Sequence, residues 1–173
     1  TIEKDGKTSL IETEKILVSV GRKANLLQVG LDKLNIELLR NGVKVDEHMQ
    51  TSHPRVYACG DITGHSMLAH TAIRESEVAI NHILEVEDRM NYDCVPGVVY
   101  TNPEVAGVGK TEEELKASGI SYHVQKLPMA YSGRFVAENE QGNGLCKLIL
   151  DDDDRIIGCH MLGNPASELI VLA

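Results

Sequence analysis

Tryptophan is absent from this 173-residue chain, phenylalanine occurs once, and aromatic residues make up only 3%. Stacked-base platforms and aromatic sugar cradles need several rings, so neither is expected. Basic residues number 17 against 26 acidic ones, a formal charge of −9, and no Lys/Arg run offsets it. That field repels phosphate backbones, so no nucleic-acid partner is expected. Apolar runs such as Ile16-Leu17-Val18 are short. They fall far below the ~20 residues of a membrane span, and no membrane association is expected. Thr1-Ile2-Glu3-Lys4-Asp5 has neither the apolar run of a signal peptide nor an initiator Met. The chain therefore reads as beginning inside a longer protein. Four cysteines, at 59, 94, 146 and 159, form no CxxC and no paired spacing. That argues against a disulfide framework or a zinc knuckle. The thiols read as small buried hydrophobes in a reducing compartment, and a cytoplasmic location is the expectation.

Hydrophobic residues at 42% suffice for a real core. Residues 1–24 read as two strands around a turn: Lys4-Asp5-Gly6-Lys7 is turn chemistry, and Lys15 to Val20 is a β-rich apolar run ending at Gly21. Apolar residues on consecutive positions suit a strand covered on both faces, as in α/β proteins. Asn41-Gly42 marks a turn before a short strand, Val43 to Asp46. Arg55 to Cys59 reads as a strand running into Gly60-Asp61, and a helical pattern follows from about Met67 to Glu87. Ala72, Ser76, Ala79 and Ile83 recur on one face of that helix. Beyond Pro96, Thr111-Glu112-Glu113-Glu114 is a capping box, with Gly119 at the far end of its helix. Arg134 to Glu140, Leu145 to Leu150 and Arg155 to Met161 read as strands of an antiparallel meander. Gln141 to Gly144 and Asp151 to Asp154 supply the turns. Asn164-Pro165 then opens an apolar helix, and Leu169 to Leu172 read as exposed unless something covers them.

The chemistry concentrates at Val56-Tyr57-Ala58-Cys59-Gly60-Asp61. A strand delivers a carboxylate at its C-terminal end, and ligands of open α/β sheets bind outside such ends. Gly60 lets a ligand approach the backbone, and Asp61 can accept hydrogen bonds from sugar or polyol hydroxyls. The following helix points its N-terminal N–H groups and positive dipole end at the same crevice, which favours an anion. Other candidates read blandly. His65 and His70 lack the three or four convergent ligands of a metal site. Asp151 to Asp154 lacks the Gly and distal Glu of a calcium loop. Glu112 to Glu114 suit the positive end of a helix, and no Ser-His-Asp arrangement can be placed around Ser132. No catalytic residue is assigned.

The stretch Val56 to Gly64 followed by Met67-Leu68-Ala69-His70 resembles the second FAD motif of the flavoprotein disulfide reductases. Its Met-Leu-Ala-His version resembles that of the dihydrolipoamide dehydrogenases in particular. Ile16 to Arg22 resembles the family's strand returning from the NAD domain to the FAD domain. Tyr100-Thr101-Asn102-Pro103-Glu104-Val105-Ala106-Gly107-Val108-Gly109 resembles the start of its interface domain, and Ala130 to Arg134 agrees. The resemblance implies an α/β fragment of an FAD/NAD-binding domain followed by a truncated α+β interface domain with an antiparallel sheet. It divides the chain into 1–24, the end of the NAD domain and return strand; 25–93, the C-terminal part of the FAD domain; and 94–173, the interface domain. By resemblance Asp61 binds the ribityl hydroxyls of FAD, Met67, Leu68, Ala69 and His70 offer backbone groups to the isoalloxazine edge, and Gly21 lies near the NAD site. Ser76 departs from the family's common Gly but stays small. The parent activity implied is electron transfer from dihydrolipoyl groups through a redox disulfide and FAD to NAD. The implied partners are a second copy of the chain and the lipoyl-bearing subunits of 2-oxo acid dehydrogenase complexes. Another FAD-dependent disulfide reductase, of glutathione or mercuric type, and a non-catalytic dimerisation module are the alternatives. The sequence lacks both glycine fingerprints, the redox cysteine pair and the terminal His-Glu pair. Alone, it is expected to be inactive, to hold little or no FAD, and to self-associate.

Overall fold

A computed structural model describes residues 1–27, 29–139 and 142–173, which divide into two compact units, Thr1–Ala79 and Ile80–Ala173. The first unit opens with a hairpin of β1 (Ile2–Lys4) and β2 (Lys7–Ser9), Lys4 pairing with Lys7. Asp5 and Gly6 both adopt positive φ, 53° and 71°, as a two-residue turn with the twist of its strands demands. The expected turn is there. The expected strand from Lys15 to Val20 is not. Ile16, Leu17, Val18 and Val20 are 81, 91, 74 and 90% exposed and pair with no strand. A buried parallel strand exists only between neighbours, and no neighbouring strand meets this run among the described residues.

The rest of this unit is held by turns. The strands expected at 43–46 and 55–59 shrink to single bridges, Leu38 with Val43 and Gln50 with Tyr57. Their backbone groups are satisfied locally instead: Thr51 N–H donates to Val56 C=O at 3.0 Å, and Ala58 N–H to Met49 C=O at 3.1 Å. Ile36, Val43 and Ala58 form the core, with Leu26, Leu31, Val45, Val56 and Ile62 packed against them. Helix α1 (Ala69–Ile83) fills most of the expected helical stretch. Its buried face is Thr71, Glu75, Val78 and Ala79. That face sits largely one residue away from the expected small stripe, whose Ser76 and Ile83 are exposed.

The second unit contains β3 (Gly97–Val99), β4 (Val105–Gly109), α2 (Glu112–Ser118), β5 (His123–Pro128), α3 (Gly133–Glu138), β6 (Leu145–Leu150), β7 (Ile156–Leu162) and α4 (Ala166–Leu169). Its strands form one antiparallel sheet in the order β3-β4-β7-β6-β5. The meander β5-β6-β7 exists, but its first member is His123–Pro128. The segment expected as a strand from Arg134 is instead helix α3. Ser132 caps it by accepting the N–H of Phe135 at 3.3 Å, Arg134 pairs with Glu138 one turn on at 2.9 Å, and Phe135 is buried. Those local bonds outweigh the β preference of Phe135 and Val136. Glu140 and Gln141, where that strand and the following turn were expected, lie outside the described residues.

Helix α2 has the full capping box. Thr111 Oγ1 accepts the N–H of Glu114 at 3.2 Å, and a Glu114 carboxyl oxygen accepts the N–H of Thr111 at 2.8 Å. Gly119 ends it with φ 66°. Ala106, Cys159, Ala166 and Ile170 form the core, flanked by Val98, Val108, Cys146, Leu148 and Met161. The apolar C-terminal turn is therefore only partly exposed. Ile170 is fully buried, whereas Leu169, Val171 and Leu172 face solvent.

Candidate functional site

The residues singled out at 56–70 come together in the first unit. Ala58 is drawn into the core, and the chain then makes one turn of 3₁₀ helix over Gly60–Thr63. Gly60 carries φ 80°, a left-handed conformation, and a Cβ there would meet the Ala72 Cβ of α1 at 3.2 Å. Both facts favour glycine. Thr63 closes the turn, its hydroxyl donating to the Gly60 carbonyl at 2.9 Å, and Val43 N–H donates to Ile62 C=O at 2.8 Å. This leaves Asp61 exposed on the outside of a tightly held turn.

Residues 64–68 lead into α1. Met67 is half-buried, while Leu68, Ala69 and His70 are exposed. The hydroxyls of Ser66 and Thr71 lie 3.0 Å apart, tying this approach to the first turn of the helix. The opening N–H groups of a 15-residue helix have no intrahelical partners, so α1 presents donors and a positive dipole end here. Gly21 lies in the exposed N-terminal segment with φ 77°.

Sequence reasoning missed one participant. Glu75, on the buried face of α1, is fully enclosed, and its carboxyl oxygen accepts the backbone N–H of Gly60. A polar helix position surrounded by Arg74, Ser76 and Glu77 gives no sign of burial; only the packing shows it. Cys59 sits beside it. Burial pushes the Cys59 thiol upward, the Glu75 charge adds to that, and a hydrogen bond with Ser76 opposes it. A thiol so placed is a poor nucleophile.

The second unit offers no comparable grouping of reactive side chains among the described residues. Glu112 pairs with Lys147 at 3.0 Å, and the resulting hydrogen bond holds its carboxyl below the usual range. Asp151 accepts the N–H groups of Asp153 and Arg155, each at 2.9 Å, so the acidic run is a self-bonded turn. Cys159 is buried next to Cys146, and its thiol is pushed up to about 11. Among the described residues no three His, Cys, Asp or Glu side chains are gathered to hold a metal ion.

Comparison with known proteins gives this arrangement a context. Residues 1–76 match the family model described as pyridine nucleotide-disulphide oxidoreductase, and residues 95–173 match that family's dimerisation domain. The mitochondrial dihydrolipoyl dehydrogenase of Caenorhabditis elegans is 41% identical over 172 residues, 98% of this chain and 34% of that protein. The human mitochondrial dihydrolipoyl dehydrogenase is 39% identical over 167 residues, 95% of this chain and 33% of that protein. The chain thus spans about a third of the length of the curated relatives it matches. LpdA of Mycobacterium tuberculosis superposes with a TM-score of 0.80 at 28% identity, covering 87% of this chain and 33% of that one. The HOCl-induced flavoprotein disulfide reductase RclA of Escherichia coli shares the fold, with a TM-score of 0.75 at 24% identity over 89% of this chain and 36% of that one. The relatives' mitochondrial names overturn the expectation of a cytoplasmic location. Unpaired cysteines report on the redox state of a compartment and not on which compartment it is. The chain belongs to the pyridine nucleotide-disulphide oxidoreductases, as a segment similar to dihydrolipoyl dehydrogenases in which an α/β fragment precedes the family's dimerisation domain.

Proposed function

We propose that this chain is part of a mitochondrial, FAD-dependent dihydrolipoyl dehydrogenase. The observation that carries the reading is the Gly60–Asp61 turn, a fixed backbone with an exposed carboxylate, packed at Gly60 against α1 and followed within a few residues by the opening of that helix. A flavin dinucleotide offers polyol hydroxyls and an anionic reduced ring, the two chemistries these groups accept. When bound, FAD supplies the two-electron transfer. The chain's own part is binding and orientation. Asp61 accepts hydrogen bonds from the ribityl hydroxyls, and Met67, Leu68, Ala69 and His70 line the approach with backbone groups. The positive end of α1 favours negative charge on the ring it faces. Gly21 serves the neighbouring NAD site. In domain terms, residues 1–24 belong to the NAD-binding region, 25–93 to the FAD-binding region and 94–173 to the interface domain.

The substrate in this reading is a protein-bound dihydrolipoyl group, presented by lipoyl-bearing subunits of a 2-oxo acid dehydrogenase complex. The working form is a homodimer joined through the interface domain. Identity near 40% to enzymes named for dihydrolipoyl oxidation supports this substrate over glutathione or mercuric ion. The test is the full-length protein that carries this sequence. Bound flavin and reduction of NAD⁺ by dihydrolipoamide are expected, and Asp61→Ala should weaken flavin retention. Flavin-dependent reduction of glutathione disulfide without dihydrolipoamide activity would replace this reading with the nearest alternative.

A further inference from the structure

The fully enclosed Glu75 has no assigned role in the reading above. It lies fifteen residues from Gly60 in sequence, yet its carboxyl oxygen takes the Gly60 N–H. Such a bond joins the middle of α1 to the residue immediately before Asp61. A buried carboxyl is costly unless it is satisfied, and a chain that merely needed to fill this space could use an apolar side chain. The neighbouring contacts converge on the same turn. Gly60 also abuts Ala72, where a Cβ on the glycine would meet the Ala72 Cβ at 3.2 Å, so two positions on α1 hold the same residue of the loop.

We propose that Glu75 is the positioning residue of this site. By anchoring the Gly60 amide it fixes the backbone from which Asp61 projects, and it keeps that backbone in register with the helix end on which the same ligand would rest. The inference rests on the flavin reading. A hydrogen bond costs little to make in place and much to rebuild at each binding event, so a pre-set turn spares the ligand the ordering cost.

The experiment uses the full-length protein with its flavin. Glu75→Ala, Glu75→Gln and the exposed control Glu77→Gln are compared for flavin release on dilution, by recovery of flavin fluorescence, and for exchange of the Gly60 amide. Loss of a hydrogen bond to a carboxyl group should speed both flavin release and Gly60 exchange about tenfold or more in Glu75→Ala. Glu75→Gln keeps a side-chain carbonyl acceptor and should return both to within about threefold of the parent. Glu77→Gln should match the parent. Flavin released from Glu75→Ala at the parental rate, or no rescue by glutamine, would overturn the proposal. If Glu75→Ala does not fold, the Glu75→Gln measurements decide alone, a loss of Gly60 protection overturning it. A parent protein that carries no flavin would instead remove the functional reading itself.

Discussion

Two apolar tripeptides of nearly the same composition meet opposite fates in this chain. Leu148-Ile149-Leu150 lies in β6, with β5 paired along one edge and β7 along the other, and Ile149 is completely buried. Ile16-Leu17-Val18 is as apolar and equally suited to a strand, yet it stands in solvent with no strand partner among the described residues. The difference is not in the segments. Strand propensity measures how well a residue fits a pleated, half-covered surface, so it is realised only where neighbours supply that surface. The dimerisation domain sets five strands side by side, and the segments within that sheet take up their preference. The opening segment of the first unit has the preference without a sheet around it.

Core truncation should break the comparison most sharply. Ile149→Ala removes a completely buried side chain from β6 of the five-stranded sheet and should cost about 2–5 kcal/mol. Leu17→Ala should change stability by no more than about 0.5 kcal/mol. Urea unfolding of both variants checks this, and equal losses would erase the contrast. A smaller effect is expected at the cap of α2, where Thr111→Ala deletes a hydroxyl that accepts the Glu114 N–H. That should cost about 0.5–2 kcal/mol by the same assay.

The acid side of the pH profile sharpens the picture further. Hydrogen bonds from Thr111 hold the Glu114 carboxyl below its usual range, and the Lys147 ammonium does the same for Glu112. A carboxyl depressed in the folded state binds fewer protons there than in the unfolded chain. Its contribution is therefore fully present above the ordinary carboxylate range and is lost as pH falls through the folded-state value. Melting temperature followed from pH 7 down to about 3 should fall, and Glu114→Gln should flatten part of that fall. Thiol chemistry gives the smallest perturbation. Cys94 is exposed, whereas Cys159 is buried with its thiol raised to about 11. Iodoacetamide at pH 8 should label Cys94 in the native protein and reach Cys159 only after unfolding. Native labelling of Cys159 ahead of Cys94 would show that this core opens.

What could be read from the sequence follows the same division between local and tertiary causes. The capping box at Thr111 and Glu114, the Asp5-Gly6 turn and the helix after Met67 are decided within a few residues, and each forms where its signal lies. The α3 segment reads as a strand because Phe135 and Val136 favour strands, although Ser132 three residues before Phe135 carries the N-cap signal. Strand β5 escaped because His123, Gln125 and Lys126 dilute its apolar pattern, as an edge strand tolerates. At the candidate site, Gly60, Asp61 and the start of α1 were visible as a motif. The burial of Glu75 was not, because its partner lies fifteen residues away and only the packing of α1 brings them together.

The run from Ile16 to Val20 has the strand preference and, among the described residues, no neighbouring strand to realise it. Native-state hydrogen exchange tests it directly, measured on this 173-residue chain and on the full-length protein that carries it. In the chain alone the amides of β6 and β7 should be protected while those of residues 16–20 exchange at unfolded rates, and in the full-length protein residues 16–20 should become protected too. Protection at 16–20 in the chain alone, or unfolded rates there in both proteins, would contradict the account.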